Sequence, residues 1–201
     1  MLQDSARRVV ANTQLKYKTV AIVADISQSS SGSRAKANRP LAIAMATVYL
    51  FEASSESSRV YWAPQGQNND KPAYPFLQVA GGQTALAEPI IDAMETLPEL
   101  LLIVSDGWEN DPPLTVAGVV KAARAKLPVV RGIKIVHANP VFDPAHFSPK
   151  PFSEDIATVG LRDTESIATM LEFAAFASGL ASLEELENHL SLQSQTMRAG
   201  S

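Results

Sequence analysis

The stretch VAIVADISQSSSGS, Val20–Ser33, decides how the rest of the chain is read. Its first five residues are all apolar, the pattern of a strand buried on both faces rather than on one. The run ends in Asp25, and hydroxyls follow at Ser27, Ser29, Ser30 and Ser31. Buried polar groups cost free energy unless each finds a partner, so a core strand has no use for so many oxygens at its end. They point to a solvated turn or to a ligand that prefers oxygen.

Outward from this stretch, strand and helix signals alternate. Lys18–Asp25 is too short for a helix, and Arg34–Ser54 carries apolar residues at helical spacing, with Ser54–Ser58 closing it. Arg59–Trp62 reads as a second strand, and APQGQNNDKPAYP as a polar, proline-containing loop. A poor strand near Phe76–Val79 precedes Gly81-Gly82, and a helix is expected from Thr84 to Leu97 with Pro89 in its first turn. Leu100–Ser105 is the most hydrophobic strand, bounded by Asp106-Gly107. A helix over Pro113–Lys126, strands over Val129–His137 and Ile156–Gly160, a helix from Asp163 to Gly179 and a capping box at Ser182 and Glu185 complete the series. Strands apolar on both faces and alternating with helices imply an α/β, doubly wound, mostly parallel sheet with helices on both faces.

Composition narrows the function. The chain of 201 residues is 46% hydrophobic, enough for a sizeable core in one domain. That domain is expected to span 1–201, with its core over about 18–179 and a C-terminal helix and tail at 180–201. Seventeen Lys and Arg against 21 Asp and Glu leave a formal net charge of -4, which argues against a general grip on nucleic acid or an anionic membrane. The absence of cysteine excludes disulfides, thiolate metal sites and cysteine nucleophiles. MLQDSARRVV lacks the apolar run of a signal peptide, and no segment is apolar for long enough to span a bilayer, so the expected location is cytoplasmic.

In an open α/β sheet, ligands bind beyond the carboxyl ends of the strands, where strand order reverses. Three polar clusters fall at such positions: Asp25, Ser27 and Ser29 after the first strand, Thr84 in GGQT, and Asp106 in VSDG. All five residues offer oxygen, which suits a hard cation such as Mg²⁺ or Mn²⁺ and leaves room in its shell for water or a ligand oxygen. Taken singly, the aspartate and serines are good helix caps, and Asp106-Gly107 is a common turn. Only the combination points to a metal.

DISQS, then GGQT, then VSDG at the ends of α/β strands resembles the von Willebrand factor A domain. The metal-ion-dependent adhesion site of that family is DxSxS followed by a distant Thr and a distant Asp, and every position matches. The resemblance covers about Lys18 to Gly179 and implies a Rossmann-like sheet of order 3-2-1-4-5-6 with one short antiparallel edge strand, the one near Phe76. It implies Mg²⁺ or Mn²⁺ at Asp25, Ser27, Ser29 and Thr84, with Asp106 acting through water. The implied function is a metal-dependent protein-binding module, not an enzyme, that grips an Asp or Glu carboxylate of a partner. A MoxR-type AAA+ ATPase or a larger assembly is the kind of partner implied. A fainter likeness is to the A domain of Ro-type (TROVE) RNA-binding proteins, whose RNA-binding helical ring has no counterpart in this chain. Two departures are local: Ser30-Ser31-Gly32-Ser33 is richer in hydroxyls than the family's usual continuation, and Pro40 falls within the expected first helix.

Ser30, Arg34 and Glu109 surround the expected metal edge and are the candidates for touching a partner. Arg34, Lys36 and Arg39 also fit a solvated helix start, and Glu109 and Asp111 fit plain loop charges. His137, His146 and His189 lack paired ligand spacing and read as structural or exposed. The competing enzyme reading is a haloacid-dehalogenase-like Mg²⁺-dependent phosphatase. It needs a general acid two residues after the first aspartate, and Ser27 stands there without a carboxyl.

Overall fold

A computed structural model describes residues 17–27, 32–33, 36–63, 81–82, 84–109, 115–141, 148–161, 172–173 and 176. The first strand, β1 (Tyr17–Asp25), is buried without interruption from Val20 onward. It can be so apolar because it pairs in parallel on both sides, with β4 (Ser55–Ala63) on one and β5 (Leu100–Val104) on the other. β5 pairs with β6 (Lys134–Asn139), and β6 with β7 (Ala157–Gly160), again in parallel. The sheet order β4-β1-β5-β6-β7 is the expected order without its outermost strand, since the stretch near Phe76 lies outside the described residues. The architecture is α/β and Rossmann-like, as the sequence implied.

The period of two along β1 and β5 divides their side chains between two cores. Val20, Ile22 and Ala24 join Leu100, Leu102 and Val104 beneath α1 (Arg39–Ser54), where Leu41, Val48 and Phe51 meet them. Ala21 and Val23 join Leu101 and Ile103 on the opposite face, against Ile90 and Met94 of α2 (Ala87–Glu95) and Val116 and Val120 of α3 (Thr115–Lys126). Each fully buried aliphatic side chain contributes roughly 1.5–3 kcal/mol. The chain leaves β1 for β4 on one side and returns through α2 to β5 on the other, so strand order reverses between the carboxyl ends of β1 and β5.

Several boundaries differ from expectation, each for a physical reason. The first helix starts at Arg39 because two short antiparallel strands, β2 (Gly32–Ser33) and β3 (Lys36–Ala37), precede it. Asn38 then turns the chain in a left-handed conformation at φ 56. Pro40 thereby falls in the first turn of the helix, where its missing N–H leaves no bond unmade. β4 begins at Ser55 rather than Arg59, because pairing with β1 recruits a Ser- and Glu-rich segment of low strand propensity. A 3-10 turn over Pro128–Gly132 takes the place of the first part of the expected strand, and β6 runs on to Asn139. Of the helix expected over 163–179, residues 172–173 and 176 are described and helical; 180–201 lie outside the described residues. Among the described residues no helix is long and apolar enough to cross a membrane.

Candidate metal centre

Three loops meet at the point where strand order reverses. At the end of β1, the Asp25 carboxylate is 1% exposed; one oxygen accepts the Ser27 backbone N–H at 2.8 Å, and the other accepts the Ser105 hydroxyl at 2.8 Å. The Ser27 hydroxyl accepts the hydroxyl hydrogen of Thr84 at 2.9 Å. The two loops are tied through the backbone as well, the N–H of Gly81 donating to the Ile26 carbonyl at 2.9 Å. Gly82, at φ 81, supplies the turn that carries the chain from there to Thr84. From the end of β5, buried Asp106 brings a second carboxylate close enough to act electrostatically on Asp25.

Of the five residues expected to hold an ion, Asp25, Ser27, Thr84 and Asp106 therefore share one site, while Ser29 lies outside the described residues. Ser30 and Arg34, expected at the partner edge, also lie outside them. Glu109 is half-buried, and its Oε1 accepts the Val116 N–H at 2.7 Å, capping the first turn of α3. Burial raises its pKa, partly offset by backbone N–H bonds from Val116 and Thr115 and by Lys150.

The electrostatics of Asp25 test whether a cation suits the site. Burial raises its pKa most, bonds from Ser27 and Ser105 lower it, and the charge of Asp106 raises it further. A cation would relieve both effects that disfavour the ionised form. The Ser27 hydroxyl bonds both Asp25 and Thr84, which gathers three oxygen-bearing side chains at one point. Two carboxylates and two hydroxyls, all oxygen, fit Mg²⁺ or Mn²⁺. Among the described residues no group of three or more His, Asp and Glu is placed to hold an ion, so a site here depends on its hydroxyls.

A second layer of polar residues escaped the sequence reading. Ser105 looked like the last residue of a strand, yet its hydroxyl fixes Asp25 and accepts the Gly107 N–H at 3.2 Å. His137 is fully buried against Phe152, with ring centroids 4.3 Å apart. Its Nε2 lies 2.9 Å from the Ser105 carbonyl, which can only accept, so the hydrogen is on Nε2 and Nδ1 faces the Thr158 hydroxyl at 3.3 Å. Burial lowers its pKa to about 4, against the bond to Ser105, and the ring is neutral at physiological pH. Asn139, also fully buried, donates to the carbonyls of Asp106 at 3.0 Å and Lys150 at 3.2 Å. A polar residue at the carboxyl end of a buried strand is the feature common to Ser105 and Asn139.

No model of a known protein family matches the chain, and no curated protein matches it. Among solved structures, it is similar to the crystal structure of the Deinococcus radiodurans Ro (RSR) protein, at 15% identity and a TM-score of 0.55. The alignment covers 86% of this chain but 36% of that one, so this chain spans about a third of the length of the protein it matches. At that identity the likeness extends to the fold.

Proposed function

We propose that this chain is a von Willebrand A-type module that holds one Mg²⁺ or Mn²⁺ ion at Asp25, Ser27, Ser29, Thr84 and Asp106, and that it binds an acidic side chain of a partner protein there. The observation that carries this reading is the buried Asp25 carboxylate, set beside Asp106 and the linked hydroxyls of Ser27 and Thr84 at the sheet's switch point. The bound ion would supply a positive charge with coordination positions left for an outside carboxylate. Ser105 holds Asp25 in position, and the Gly81–Ile26 backbone bond holds the Thr84 loop against the end of β1. A phosphatase reading has less support, because residue 27 carries a hydroxyl engaged with Thr84 rather than an acid.

The test is Mn²⁺ titration followed by electron paramagnetic resonance. One ion per chain is expected, and a peptide containing glutamate should displace metal-bound water and reduce the relaxation enhancement of solvent protons. A wild-type chain that leaves Mn²⁺ free at millimolar concentration overturns the reading.

A second reading concerns the larger protein. The likeness to one part of the Ro (RSR) chain favours this chain as the A-type part of a Ro-type protein. In that case the chain alone should leave a structured RNA unshifted on a native gel, and RNA binding should require segments beyond it.

A further inference from the structure

Beside the candidate centre the chain leaves a large aromatic ring in solvent. Trp108 is 56% exposed, whereas the other tryptophan, Trp62, is 3% exposed. An exposed indole on a loose loop would need no explanation. This one is fixed. Its backbone N–H donates to the Asp106 carboxylate at 2.9 Å, and the Lys150 ammonium lies 3.4 Å from the ring centroid.

The strap that carries Lys150 is fixed as well. Asn139 joins it to the Asp106 loop by donating to both carbonyls. Gly107, at φ +79, lets the two segments approach: a Cβ there would lie 2.5 Å from the Lys150 carbonyl oxygen. A lysine therefore backs the indole, the ring remains more than half exposed, and both are anchored to the loop that bears Asp106.

We propose that Trp108 and Lys150 determine which acidic segment the centre accepts, by packing against an apolar side chain one or two residues from the acid. This rests on the reading of the centre as a carboxylate-binding site. Residues of an extended peptide advance about 3.3–3.6 Å each, so a ring two residues from Asp106 is within reach of the acid's near neighbours. Rigid, partly exposed aromatic anchors are the groups that dominate protein interfaces, because little side-chain freedom is lost when they are covered. Among the described residues Lys150 sets a positive charge beside the carboxylates of Asp106 and Glu109, a charge that an acidic segment can meet.

The test pans a random-peptide display library on the intact chain in Mn²⁺ and in EDTA. Selected peptides should need Mn²⁺ and should carry Asp or Glu with an apolar neighbour one or two positions away. On binding, they should shift Trp108 emission to the blue and shield it from acrylamide. Trp108→Ala and Lys150→Gln should each weaken these peptides tenfold or more while leaving Mn²⁺ affinity within twofold of wild type. Peptides that bind Trp108→Ala as tightly as wild type, or that carry the acid with no apolar neighbour, overturn the proposal and leave the metal centre standing. A single-stranded RNA that quenches Trp108 more tightly than any selected peptide also overturns it. A wild-type chain that binds no Mn²⁺ removes the underlying reading, and the proposal falls with it.

Discussion

At the carboxyl ends of β1 and β5, the polar side chains of Asp25, Ser27, Thr84 and Ser105 are no more than 2% exposed, whereas at the amino ends the apolar Ile91, Leu97, Leu127 and Val129 are 42–60% exposed. The amino-end residues line a groove of about 520 Å³ between α2 and α3. That volume would hold a small molecule, yet the lining is apolar apart from Glu95 and Lys126. The carboxyl end instead gathers hydroxyls and carboxylates that bond one another across three loops. The two ends call for different occupants: the exposed apolar side chains are offset by any apolar surface, whereas the buried carboxylate of Asp25 carries a desolvation cost that a cation offsets.

This contrast can be broken most directly at Asp25. Asp25→Asn keeps the shape, since the amide oxygen can accept from Ser27 and the amide nitrogen can donate to a rotated Ser105 hydroxyl. Mn²⁺ affinity should nevertheless fall a thousandfold or more, about 4 kcal/mol, as read by paramagnetic resonance. In EDTA the same variant should be as stable as wild type or more so at pH 7. The folded pKa of Asp25 is raised above its ordinary 3.8, so the protonated form stabilises the fold and that contribution is lost as pH rises through the folded pKa. Urea midpoints across that range should fall for wild type relative to Asp25→Asn. If the variant is instead less stable in EDTA at pH 7, burial of the Asp25 charge is already compensated without a metal.

The next largest effect is expected at His137. Its folded pKa is about 4 against 6.5 in the unfolded chain, so its contribution is present above 6.5 and is lost as pH falls toward 4. The loss is of order 3 kcal/mol. His137→Gln, which can still donate to Ser105, should narrow its stability gap to wild type by about that amount between pH 7 and pH 4. A gap that stays constant would mean that the ring is not held neutral by burial.

Gly107→Ala should cost about 2 kcal/mol or more in urea denaturation, because it combines a positive φ with a collision against Lys150. The smallest effect is expected at the other end of the molecule. Val129→Ser, at a site 60% exposed, should change stability by no more than about 0.5 kcal/mol and leave Mn²⁺ affinity unaltered. A larger change would show that the groove is structurally engaged.

The sequence alone determined the two central strands, β1 and β5, because apolar runs such as Leu100–Val104 report burial on both faces from local pattern. It likewise singled out Asp25 and Asp106 as oxygen donors just past strands, and Thr84 near a helix start, although α2 begins at Ala87 rather than at Thr84. The start of α1 was less legible: the apolar spacing of Arg34–Ser54 could not reveal that β2 and β3 displace its first residues. Only the tertiary structure decided the supporting layer. Ser105 meets Asp25 across 80 residues of sequence, and His137 meets Ser105 across 32. Lys150 reaches Trp108 through a strap that Asn139 ties down. Local periodicity records which face of an element is buried, but a hydrogen bond between strand ends depends on which strands the sheet makes neighbours, and no short window of sequence contains that.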